Sequence, residues 1–179
     1  MVAVIQSFAQ PCTNNLVVNG SFETTSPAVS PNTANNGLNR TTGVPGWTTT
    51  VGNTLEVWGN VVNSLPASQG SNHMEVNATS NDQTVSQVVS NLSIGCPTTV
   101  CFDYTGRFGL SGPTYNNDFT FSLSGGYAHS VALDPIIYSV GGWTNYCVTF
   151  IPATPSITIS FRGLPHFTNG AATQGGAAN

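Results

Sequence analysis

An all-β fold, one antiparallel two-sheet β-sandwich, is what this sequence predicts, and three observations predict it. Apolar residues recur with period two, the strand period, while helical periodicity is nearly absent. Short turn clusters separate the alternating stretches, among them Ser111-Gly112-Pro113, Gly125-Gly126 and Gly141-Gly142. Across 179 residues, 39% of them hydrophobic, no linker or internal repeat interrupts the pattern. That length fits one domain with a sizeable core.

The elements follow in order. Residues 16–22 read as a first strand with a turn at Asn19-Gly20. Residues 24–46 form a loop rich in Pro, Asn, Gly and Thr, closed by Val44-Pro45-Gly46, and residues 47–51 start a short strand. Residues 54–58 alternate cleanly, Leu55 and Val57 on one side, Glu56 and Trp58 on the other. Residues 72–77 do likewise, with Met74 and Val76 opposite His73 and Glu75. Residues 84–89 set Val85 and Val89 against Ser86 and Val88. Further on, Val100, Phe102 and Tyr104 share a face, as do Phe119, Phe121 and Leu123. Tyr146, Val148 and Phe150 follow, then Ile157, Ile159 and Phe161. Eight or nine short strands with no helix between them argue the sandwich.

Composition excludes several functions. Only 6% of the residues are charged, against roughly 25% in an ordinary soluble domain. With no Lys and three Arg, the chain cannot neutralise a row of phosphates, so nucleic acid is excluded as a partner. No apolar run approaches the ~20 residues of a membrane-spanning helix. A net charge of -4 is too mild to imply a cationic ligand, and the β-branched and aromatic content argues against disorder. Water is met instead by 19 Asn and by long stretches of Ser and Thr.

Four cysteines, Cys12, Cys96, Cys101 and Cys147, lack zinc-like spacing and read as two disulfides formed in an oxidising compartment. Alternation turns Cys101 away from Phe102, and Cys147 away from Tyr146 and Val148, so the two sulfurs meet if their strands are neighbours. Cys12 and Cys96 would then pair; of the three connectivities, sequence alone selects none. Residues 1–9 carry two readings, the tail of a secretory signal cleaved after Ala9 or an extended donor strand. Residues 10–179 form the single sandwich.

The residues that suggest chemistry are Glu56, Trp58, His73, Glu75 and Asn77. If their strands are neighbours, one sheet face presents an indole, two carboxylates, an imidazole and an amide to water. Sugars are bound by this mixture, an aromatic plane for C–H groups and donors and acceptors for hydroxyls. Asp103 and Arg107 bracket a strand end, as an ion pair or with Arg107 reaching a ligand. Trp47 is expected under the long loop, Tyr104 in the core, and Trp143 as a loop platform or a rim residue. Glu56 and Glu75 are the one glycosidase-like pair, but a flat sheet face has no cleft for a sugar ring between them. No nucleophile elbow, HExxH or phosphate loop is present, so the expectation is a protein that is not an enzyme.

The segments Asn15-Leu-Val-Val-Asn-Gly-Ser-Phe-Glu23, Val44-Pro-Gly-Trp47, Leu55-Glu-Val-Trp58 and Gln69-Gly-Ser-Asn-His-Met-Glu-Val-Asn77 occur in this order. Ser86-Gln87, Phe102-Asp-Tyr-Thr-Gly-Arg107 and Ile159-Ser-Phe-Arg-Gly163 complete the series. Together they resemble the galactose-binding-domain-like jelly rolls of secreted bacterial surface proteins and related plant cell-wall proteins. The resemblance implies a non-catalytic module that binds sugars or cell-wall polymers outside the cell. It also implies a final strand carrying an Asp after a Gly-Ala stretch, and a structural calcium between that Asp and the Glu of the opening motif. Glu23 matches the first calcium ligand; Gly175-Gly-Ala-Ala-Asn179 supplies no counterpart to the second, so the expected jelly roll lacks its last strand. Two functions follow: an extracellular carbohydrate-binding or adhesion module recognising a glycan or cell-wall polysaccharide, or a subunit of a cell-surface filament that self-associates by donating residues 2–8 to an open sheet edge.

Overall fold

The computed structural model describes residues 14–26, 38–40, 43–51, 55–59, 66–76, 83–106, 119–133, 142–163, 167–168, 171–172 and 177–178. The strands are β1 (Leu38–Arg40), β2 (Thr48–Val51), β3 (Leu55–Gly59), β4 (Asn72–Glu75), β5 (Thr84–Ser90), β6 (Thr98–Thr105), β7 (Phe119–Ser124), β8 (His129–Leu133), β9 (Thr144–Phe150), β10 (Ser156–Gly163), β11 (Phe167–Thr168), β12 (Ala171–Ala172) and β13 (Ala177–Ala178). They form a six-stranded sheet, β1-β3-β4-β13-β6-β9, a five-stranded sheet, β2-β5-β10-β7-β8, and the small β11-β12 pair. Every pairing is antiparallel. The all-β sandwich is therefore the architecture.

The core lies where the alternation puts it. Leu55, Val57, Met74 and Phe102 from one sheet meet Val85, Phe121, Ile159 and Phe161 from the other, all buried. Phe102 is the hub, its ring 4.7 Å from Phe121 and 4.9 Å from Phe161. Burying each such side chain contributes roughly 1.5–3 kcal/mol. Trp47 is buried as expected, 5.2 Å from Phe22, with its Nε1 donating to the Asn19 carbonyl. Tyr104 packs partly buried against the core. At the β8–β9 end the layers are joined by a 2.9 Å hydrogen bond between His129 Nε2 and the Tyr146 hydroxyl.

The expected strand over residues 16–22 is instead a run of extended chain and turn. Phe22 N–H donates to Asn19 O, and Asn19 and Phe22 have φ of 51° and 58°. The reason is a substitute partner. The Gln87 side chain accepts from Val18 N–H at 2.7 Å and donates to Val18 O at 2.9 Å, so an amide side chain takes the place of a neighbouring strand. β1 lies within the expected long loop, and β8 was not expected. The position expected to lack a last strand holds β13, two residues paired to both β4 and β6.

Candidate functional site

The adjacency of β3 and β4 brings the sequence-derived cluster together. Glu56 stands opposite Glu75, and Trp58 opposite His73. Their side chains leave the core face that Leu55, Val57 and Met74 occupy. The expectation that they project into water is corrected: Glu56 is 6% exposed, His73 3% and Glu75 3%, and Trp58 is half-buried. Alternation assigns a face and says nothing about what lies over it. Trp143, just before β9, reaches this face, its ring edge-on to His73 at 6.0 Å and its Nε1 donating to Pro66 O at 2.9 Å. Asn77 and Arg107 lie outside the described residues.

The β6–β9 half of the same face is open. Thr99 and Thr149, Cys101 and Cys147, and Asp103 and Asn145 face each other pairwise. Cys101 and Cys147 are disulfide-bonded, as alternation indicated, and both are exposed. Cys96 is also disulfide-bonded; Cys12 lies outside the described residues. Asn145 Nδ2 donates to Asp103 Oδ1 at 2.8 Å. Trp143, two residues before Asn145, is half-buried, so part of its indole remains at the surface.

A cavity of about 480 Å³ opens here. Its outer rim is polar, with Gln69, Asp103 and Asn145, and its inner wall is apolar, with Phe102, Ile159 and Phe161. Asn145 and Gln69 were not singled out in the sequence. A signal for Asn145 exists there: once Cys101 is set against Cys147, antiparallel register sets Asp103 against Asn145.

Glu23, the residue matched to a calcium ligand by the resemblance, stands at the turn before β4. Its Oε1 accepts from the N–H groups of Ser71 and Asn72 at 2.7 and 2.8 Å, and the neighbouring Phe22 carbonyl is taken by Asn72 Nδ2. Among the described residues no group of three or more His, Cys, Asp or Glu side chains is arranged so that it could hold a metal ion. Glu23 acts as a clamp on the turn before β4.

The same architecture occurs in solved structures. TmCBM61, a structure in complex with β-1,4-galactotriose, matches with a TM-score of 0.52 at 19% identity over 93% of this chain and 95% of that one. The enzymatically active domain of tailspike protein 4 of bacteriophage CBA120 matches with a TM-score of 0.50 at 16% identity. That match covers 92% of this chain and 20% of the tailspike. At such identities the likeness is one of fold, a jelly-roll β-sandwich. No protein-family model matches the sequence, and no curated protein matches it.

Proposed function

We propose that this chain is a non-catalytic carbohydrate-binding module that works outside the cell, holding a glycan across the outer face of β6 and β9. The observation that carries this reading is the group of Gln69, Asp103 and Asn145 lining the cavity, with the half-buried Trp143 two residues before Asn145. An indole offers an apolar plane to a sugar's C–H face, while the carboxylate and two amides offer acceptors and donors to its hydroxyls. Glu56 and Glu75, the acid pair that hydrolysis would need, stand opposite each other in adjacent strands and are both buried, out of reach of a sugar ring in solution. The fold shared with TmCBM61 supports the reading and suggests a first probe, a β-1,4-linked galacto-oligosaccharide. The exposed disulfide Cys101–Cys147 fits an oxidising compartment, and among the described residues no helix is long and apolar enough to cross a membrane.

The test is retention on a glycan array and on immobilised galactan. The wild-type chain is expected to be retained, and Trp143→Ala with Asp103→Ala to lose retention while keeping its circular dichroism spectrum. A folded double variant that binds like the parent would remove this site. A wild-type chain retained by no glycan would remove the function.

A further inference from the structure

We propose that Asn91 is an N-glycosylation acceptor, carrying an oligosaccharide on its Nδ2 when the chain is exported through a secretory compartment. The inference rests on the export half of the reading above and is independent of the sugar site on β6 and β9. An Asn-x-Ser/Thr triplet is what the transferring enzyme reads. Such triplets begin at Asn19, Asn39, Asn77 and Asn91, and in a chain this rich in Asn, Ser and Thr the triplet alone decides nothing. Its surroundings decide.

Asn91 directly follows β5, at the pole of the sandwich where β6 begins and β9 ends. It is exposed, as is Ser93, the third residue of its triplet. Its φ of 66° lies in the left-handed region, which Asn tolerates better than most residues. Between them Leu92 is buried, and its N–H donates to the Pro155 carbonyl at 3.0 Å. The triplet is therefore pinned at its middle and presented at both ends. Among the described residues the Asn91 side chain has no hydrogen-bond partner, so a substituent on Nδ2 displaces no bond. Asn19 is the opposite case. It is half-buried and lines the cavity, its Nδ2 donates to Thr24 O at 2.9 Å, and its Oδ1 accepts from Thr24 N–H at 3.0 Å. A sugar there would intrude on that ring of bonds.

The same pole offers a surface for a sugar chain to cover. Ile94 is 64% exposed and Ile151 61%. Gly95 N–H donates to the Pro152 carbonyl at 3.1 Å, which ties the two turns together and brings both isoleucines to this end. Neighbouring exposed apolar groups mark a place where something else lies on the surface. There is room for it: a Cβ on Gly95 would meet no atom of the described residues within 4 Å. Asn91 stands three residues before Ile94, and the C–H faces of the first sugars can cover the two side chains and remove apolar area from water. Their hydroxyls would also wet a surface that has little charge of its own.

The modification is a group transfer from a polyprenyl-diphosphate-linked oligosaccharide, with the transferase supplying the catalysis. The Nδ2 of Asn91 attacks the anomeric carbon and an N–C bond forms. The anomeric C–O bond breaks, polyprenyl diphosphate leaves, and Nδ2 gives up one of its two protons. The attachment point is far from the proposed sugar site. Thr98 pairs with Phe150 at this pole, and Asp103 pairs with Asn145 at the other end of the same two strands, about 17 Å along them.

The full chain, secreted through the endoplasmic reticulum of a eukaryotic host, tests the assignment. Peptide N-glycosidase in heavy-oxygen water turns each glycan-bearing Asn into labelled Asp. Peptide mass spectrometry is expected to find the label at Asn91 and not at Asn19. Asn91→Gly keeps the left-handed turn and Ser93→Ala keeps Asn91, and each should remove one glycan-sized step in gel mobility with the circular dichroism spectrum unchanged. Asn91→Gly should be retained longer than the parent on a phenyl column, and adding Ile94→Ser with Ile151→Ser should abolish that shift. Parent and Asn91→Gly should be retained alike on galactan, so a chain labelled at Asn91 that binds no galactan removes the sugar site and leaves this proposal standing. An unlabelled Asn91 in the secreted, folded chain would overturn the proposal, as would a glycan on Asn19 in its place.

Discussion

Two polar side chains hold the chain's entry to the sandwich, and each works by imitating backbone. Gln87 completes a two-bond ladder with Val18, and Glu23 gathers the N–H groups of Ser71 and Asn72. Glycines make room for both. A Cβ on Gly46 (φ 85°) would come within 2.8 Å of Gln87 Nε2, and one on Gly70 (φ 68°) would press on the Glu23 carboxylate. Gln87→Ala is expected to cost about 1–3 kcal/mol in urea unfolding, two hydrogen bonds' worth, with the slope unchanged. Glu23→Gln keeps an acceptor and should cost less than Glu23→Ala, and neither variant's midpoint should respond to added calcium. Glu75→Gln reads a different residue-level consequence. Because Glu75 is 3% exposed, its substitution should alter the unfolding midpoint and leave glycan retention at the parent's level. Loss of retention in a fully folded Glu75→Gln chain would return the sugar to the β3–β4 face.

Among the elements, the β6–β9 pair carries most of the proposed function. Its register puts two threonines, two cysteines and an Asp–Asn pair in successive rows on one exposed face. The Cys101–Cys147 bond closes a separation of 46 residues. Replacing both cysteines with Ala should therefore lower stability by about 2–4 kcal/mol, measured by chemical unfolding with and without reductant. A wild-type chain whose midpoint ignores reductant would show that the bond contributes nothing. This pairing was legible in the sequence because alternation sent both sulfurs to the same side. The β3–β4 face was legible to the same depth and no further. Period two correctly grouped Glu56, Trp58, His73 and Glu75, yet Trp143 stands just before β9, three positions from β4 across the sheet, and no local pattern announces such a cover. Residues 16–22 misled for a related reason. They have strand-like composition, but their hydrogen bonds go to a side chain 69 positions away.

For the molecule as a whole, stability rests on apolar burial and hydrogen bonding, with little from charge. Three Arg and seven acids leave few ion pairs to screen. The thermal midpoint should accordingly move by less than about 2 °C between low and moderate NaCl, less than 1 kcal/mol for a chain of this size. A larger shift would reveal an electrostatic contribution that this composition does not suggest. The sequence by itself determined the fold class, the division of each strand into inward and outward faces, and the side of its strand that each of Cys101 and Cys147 takes. All three follow from the two-residue period of an extended chain, which is a local property. Only the tertiary structure decided which outward face stays open, that β13 sits between β4 and β6, and that the cavity is both polar at the rim and apolar within. These depend on which distant segments become neighbours, and strand order is set by the packing of the two layers against each other, not by any pattern within a strand.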